Sequence, residues 1–303
     1  MGSLLALASA ACYGIADFTG GLLSRRVNFA LVALAGQAGG LALTSAAALF
    51  LPEASPTAAD LAWGALSGVG TGVGMVFLFR GLSRGAMSVV VPVSAVGGVA
   101  LPVLVGVALL GDRPSALSWL GILTAVPALW LVSHTGPGSA PDATRASLDG
   151  LIAGSGIALQ YVALAQSAPA AGIWPVTAGR VTALVSILPV VLVPLCTRRR
   201  ARRREHSHAQ PGPPRPRPFP PSSRMPARYA AGAASTGMVA ALALVLYLLA
   251  TREDLVVVAV VLSSLYPVLP VLLGLTVLRE RPTRPQIAGL LGAAAAVALL
   301  TAG

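Results

Sequence analysis

Long apolar runs separated by short clusters of Gly, Pro and charged residues recur along the whole chain. About 20 apolar residues cross the ~30 Å of a bilayer's hydrocarbon. Ten runs qualify as spanning helices: Ser3 to Leu23, Phe29 to Leu51, Leu61 to Leu82, Val89 to Leu110, Leu117 to Val132, Gly150 to Ser167, Ile173 to Cys196, Tyr229 to Ala250, Leu255 to Leu278 and Pro285 to Thr301. The runs are continuous rather than alternating, which excludes the strands of a barrel. The pattern therefore predicts an all-α membrane protein with ten transmembrane helices.

Composition agrees. Hydrophobic residues make up 55% of the 303 and charged ones 10%, against about a quarter charged in soluble domains. Mean hydropathy is +0.80. The first run has no basic stretch before it, so a cleaved signal peptide is not expected, and the small residues ending at Cys12 are a poor lipidation signal.

Residues 101 to 123 reappear 168 positions later without a gap. The first copy reads LPVLVGVALLGDRPSALSWLGIL and the second LPVLLGLTVLRERPTRPQIAGLL, so Pro102 maps to Pro270, Asp112 to Glu280 and Gly121 to Gly289. The same offset superposes Gly64 on Gly232, Ser67 on Ser235 and Phe79 on Tyr247. This divides the chain into a first repeat over 1–135, a linker over 136–147 and a second repeat over 148–303, with an Arg/Pro-rich disordered loop at 197–228. Duplicated apolar spans are how many secondary transporters are built.

Charge placement then sets direction. Every basic side chain is an arginine, and ten of them lie between Arg198 and Arg228. A basic block can bind nucleic acid, but beside membrane helices it reads as a topology signal, with Arg198–Arg204 meeting anionic lipid headgroups. Arg25, Arg26, Arg84, Arg145, Arg279, Arg281 and Arg284 also fall in odd-numbered connections. The positive-inside rule puts those connections in the cytoplasm and both termini outside. Five spans per repeat is an odd number, so the second repeat enters the bilayer upside down, the condition for alternating access.

The stretches CYGIADFTGGLLSRR at 12–26, SVVVPVSAVGGVALPVLVGVALLGDRPS at 88–115 and LSSLYPVLPVLLGLTVLRERP at 262–282 resemble the EamA domain of the drug/metabolite transporter superfamily. The resemblance covers nearly the whole chain. It implies ten helices in two five-helix halves around a central substrate cavity, with export or exchange of small metabolites. It also implies cytoplasmic termini, opposite to the arginine count.

A charge inside a span costs about 2.5–3.5 kcal/mol on insertion scales, so it faces a cavity or a partner. Asp17 lies roughly 21 Å into the first helix and Arg180 about 10 Å into the seventh, at 1.5 Å per residue. The two are thus about 11 Å apart in depth, too far for a salt bridge. Asp17 is a proton or cation site, or else an interfacial carboxylate pairing with Arg25 or Arg26. Arg180 is an anchor for a substrate carboxylate or phosphate, or else snorkels to the outer face. Arg80 reads as an interfacial anchor. Tyr13, Gln160, Tyr161, Trp174, Tyr247 and Tyr266 carry polar tips suited to a small-molecule pocket, although aromatics also gather at membrane interfaces.

Pro92, Pro102, Pro175, Pro267 and Pro270 mark candidate hinges, since each frees a carbonyl. Cys12 and Cys196 offer no disulfide framework. No HExxH or GxSxG motif occurs, and His134, His206 and His208 are not clustered within spans. The expectation is a transporter of the cytoplasmic (inner) membrane, with a small-molecule substrate, no metal, no cofactor, no nucleic-acid partner and possible homodimerisation. An intramembrane enzyme or a membrane scaffold is the alternative.

Overall fold

The computed structural model describes residues 2–50, 55–105, 115–133, 141–164, 166–207, 225–253 and 266–302, and every regular element among them is helical. In chain order these are α1 (Gly2–Ser24), α2 (Phe29–Leu49), α3 (Ala58–Arg84), α4 (Met87–Val105), α5 (Ala116–Ser133), α6 (Pro141–Leu164), α7 (Trp174–Ser207), α8 (Ala227–Glu253), α9 (Val268–Thr276) and α10 (Arg284–Ala302). A 3-10 turn at Pro169–Ala171 precedes α7.

Polar side chains set several of the boundaries. The Asn28 carboxamide oxygen accepts from the Ala30 N–H at 2.8 Å and starts α2. Thr57 and Asp60 form a reciprocal capping box at the start of α3, satisfying donors that have no partner within the helix. Pro175 stands in the first turn of α7, where a missing N–H costs nothing. It therefore stands at the start of a helix rather than inside one. Pro267 and Pro270 likewise stand at the cap and first turn of α9. Pro92 and Pro102 lie inside α4.

Two helices outrun their apolar stretches. α6 begins at Pro141 rather than Gly150. α7 continues to Ser207, through the arginine run that was expected to be disordered. Arginine is a good helix former, so a spanning helix can carry such a run past the hydrocarbon edge. Residues 208–224, in the same expected loop, lie outside the described residues, as do Asp112, Arg113, His134 and the first part of the expected ninth span.

Large apolar side chains face outward. Leu49, Leu123, Val126, Trp130, Val185 and Leu291 are each more than 60% exposed. Patches on this scale do not survive in water, but they suit acyl chains. Among the described residues six helices are long and apolar enough to cross a membrane: Gly2–Ser24, Phe29–Leu49, Ala58–Arg84 and the stretches Thr144–Leu164, Trp174–Val193 and Ala227–Tyr247. The chain is thus a multi-pass helical membrane protein.

Small residues fill the interior. A β-carbon on Gly154 would fall 2.7 Å from the Ser94 carbonyl oxygen, and one on Gly156 would fall 2.6 Å from the Gly74 nitrogen. At Gly68 it would strike Thr182 and the Gly179 carbonyl, and at Gly237 the Gly36 carbonyl. Such contacts let backbones touch where lipid supplies no hydrophobic drive between helices.

The contacts also give helix directions. Along α1 and α8, Ser9 donates to the Ala243 carbonyl at 2.7 Å and Thr19 meets Thr236 at 3.1 Å, so the two run antiparallel. α3 and α6 are antiparallel too, since Gly70 lies against Gly156 and Gly81 against Ala146. By contrast α3 runs parallel to α7, with Gly64 at Pro175 and Gly72 at Ala183. α2 runs parallel to α8, with Gly36 at Ala233 and Gly40 at Gly237. α4 follows α6 in the same sense, Gly150 at Val90 and Gly98 at Ile157.

Candidate functional site: a polar chamber inside an apolar bundle

The paired helices α1/α8, α2/α7 and α3/α6 leave a chamber between them. Its wall includes Tyr13, Asp17, Gln37, Thr71, Met75 and Phe79 from the first half of the chain, and Gln160, Tyr161, Arg180, Thr236 and Tyr266 from the second. Asp17 and Arg180 are 8% and 7% exposed. Neither has an ion-pair partner among the described residues, and isolated charges at this depth are costly. Arg180 donates through one terminal nitrogen to the Gln37 side-chain oxygen at 2.7 Å. Gly40 makes room for the arginine's stem: a β-carbon there would lie 3.4 Å from Arg180 Nε. Aromatic rings close the chamber, with Tyr13 and Tyr266 tilted at 59° and their centres 6.1 Å apart.

Six of the eight residues singled out from the sequence thus line one space: Asp17, Arg180, Tyr13, Gln160, Tyr161 and Tyr266. Two do not. Tyr247 packs beside it, against the cluster of Ile173, Val176 and Leu244. Trp174 opens α7 and is not part of the wall. On helices apolar all round, sequence does not tell which face turns inward. Arg80 is no free interfacial anchor: its Nε and a terminal nitrogen donate to one Asp149 oxygen at 3.0 and 2.6 Å, while Arg84 reaches the other at 3.3 Å. For Arg198–Arg204 only the backbone is described.

Gln37 went unnoticed in the sequence because a lone amide in an apolar run is a weak signal. One clue was present. Ala35-Gly36-Gln37 and Ala178-Gly179-Arg180 are separated by 143 positions, and Asp17 and Gln160 are separated by the same distance. The offset is 168 further along because the second half carries 25 more residues between its second and third helices, where the Arg/Pro-rich segment lies.

Glu280 ties the two halves at one end of the bundle. Its carboxylate accepts from the Met87 and Ser88 backbone N–H groups, each at 2.9 Å, at the start of α4. It also receives Arg25 at 3.3 Å, and Arg25 in turn donates to the Leu82 and Gly85 carbonyls ending α3. Toward the other end, Asp60 accepts from the Ala168 N–H at 2.7 Å and holds the α6–α7 connection against α3.

A bundle of apolar helices around a buried polar chamber defines the class: a multi-pass membrane protein with a polar cavity in its interior. Residues 1–134 match the model of the EamA-like transporter family. A protein of known crystal structure superposes on 99% of this chain and 96% of its own, with a TM-score of 0.54 and 19% identity, which relates the folds. No curated protein matches the chain.

Proposed function

We propose that the chain is a secondary transporter, not an enzyme, that moves a small polar or amphipathic molecule across the cytoplasmic membrane by alternating access, as a proton-driven or exchange-type exporter. The observation that carries this reading is the chamber itself. A carboxylate and a guanidinium without ion-pair partners among the described residues, walled by tyrosines and amides, are costly inside an apolar bundle and mark a substrate or ion path.

The proposed architecture is ten spans in two inverted five-helix repeats. Its support is a swap rule in the contacts. Exchange first-half helices for their second-half counterparts, and α1 against α8 becomes α6 against α3, while α2 beside α8 becomes α7 beside α3. All four pairings occur, with the same relative directions in each exchanged pair. α1 is antiparallel to α8, the counterpart of α3, so the second half runs opposite to the first. Arg25, Arg84, Arg145, Arg279 and Arg281 gather at the end where α1, α3 and α9 finish and α6 begins. That end is assigned to the cytoplasm.

In this scheme the halves rock about the chamber. Substrate enters from one side, its anionic group meeting Arg180, and Asp17 takes or gives the coupled proton. The test is uptake into proteoliposomes under an imposed pH gradient, screened with amino acids, sugars and lipophilic cations. Flux of at least one compound above empty vesicles, lost in Asp17→Asn, is expected. Equal flux in protein-containing and empty vesicles for every compound contradicts it.

A further inference from the structure

We propose that Gln37, as a neutral partner of Arg180, leaves the guanidinium's charge uncancelled and so lets the chamber select an anionic group. The inference rests on the transporter reading above and deepens it. Gln37 is 4% exposed and lines the chamber. Its side-chain oxygen takes one N–H of Arg180 at 2.7 Å. That is the one hydrogen bond to the guanidinium among the described residues, although the group has five donors in a fixed fork. The partner is neutral. The amide orients the fork without cancelling its charge, and the remaining N–H groups stay available to a carboxylate or phosphate oxygen.

The repeat offset makes the same point independently. Gln37 and Arg180 occupy equivalent positions 143 residues apart, in helices that face each other, and Asp17 and Gln160 are related by the same offset. Each pair carries one charge and one amide. Two arginines facing each other would repel, and two glutamines would leave nothing to hold an anion. A glutamate at position 37 would set a carboxylate oxygen where the amide oxygen now sits. It would form a charge-assisted pair and occupy the site in place of the ligand's own anion.

The test uses the purified full chain in detergent, with three probes of one shape and different charge: benzoate, benzamide and benzylamine. Binding is read as the rise in thermal unfolding midpoint with probe concentration. For the wild type we expect benzoate to stabilise and the neutral and cationic probes to do so at least about tenfold more weakly. Gln37→Met, which removes the amide without adding charge, keeps the preference for benzoate. Gln37→Glu loses benzoate binding by about tenfold or more while its own midpoint is unchanged or higher.

Several outcomes overturn the inference: a wild type indifferent to benzoate or equally stabilised by benzamide, a Gln37→Glu variant that binds benzoate as the wild type does, or a Gln37→Met variant that fails as fully as Gln37→Glu. Arg180→Gln separates the two levels. If that variant still binds benzoate, the anion is not anchored by Arg180 and the site reading falls. If it loses benzoate while Gln37→Glu keeps it, only the role of Gln37 falls.

Discussion

Asp17 is buried in α1 without an ion-pair partner among the described residues, and the energetics of that position make a sharp prediction. Asp17→Asn keeps the shape and removes the ionisable oxygen. Flux driven by a pH gradient should fall at least about tenfold, the size of effect expected when an essential proton carrier is lost. The thermal midpoint should stay level or rise, because a desolvated charge has been relieved. A variant that transports normally, or that unfolds early, shows a packing role instead. Asp17 and Arg180 were legible in the sequence because a charge inside an apolar run is rare and expensive. Gln37 was not, since an amide is tolerated there and its repeat mate lies at a different offset from the one that relates the later helices.

At the scale of helices, the architecture depends on small residues at crossings and on a few carboxylates at ends. Gly68 of α3 sits on Gly179 and Thr182 of α7 with no space for a side chain. Gly68→Leu should therefore force the pair apart and cost about 1–3 kcal/mol or more, read as a lowered midpoint with α-helix content retained. A midpoint equal to that of the wild type contradicts the close crossing. Glu280→Ala removes the acceptor for two N–H groups of α4 and the partner of Arg25. It should cost about 1.5–3 kcal/mol for bonds to a charged group. Arg25→Ala should add little in that background, because its partner is already gone; full additivity of the two substitutions contradicts the tie. The sequence paired Glu280 with Asp112 through the repeat, but it did not show which helix end the carboxylate serves. That contact joins residues 192 and more positions apart, beyond any local pattern.

For the molecule as a whole, the helical class was readable because it is written in long apolar periods, and the gapless copied segment is the basis of the proposed repeat. Helix rotation was not readable, and it left Tyr247 and Trp174 off the chamber wall. The proposed orientation rests on the clustering of arginines at one end. A single cysteine placed in the 208–224 segment, in a chain lacking Cys12 and Cys196, should resist a membrane-impermeant thiol reagent in intact cells and react after permeabilisation. Reaction in intact cells reverses the assigned orientation and leaves the fold untouched.

The most direct test of the account is access to the chamber from both faces of the membrane. Ala240 lines the chamber wall, so Ala240→Cys in the same cysteine-free background can be labelled with an impermeant reagent in right-side-out and in inverted vesicles. The account predicts labelling in both, with the balance between them shifted when a transported compound is supplied. Labelling in neither preparation, or in one preparation regardless of any compound, contradicts a chamber that opens alternately to the two sides.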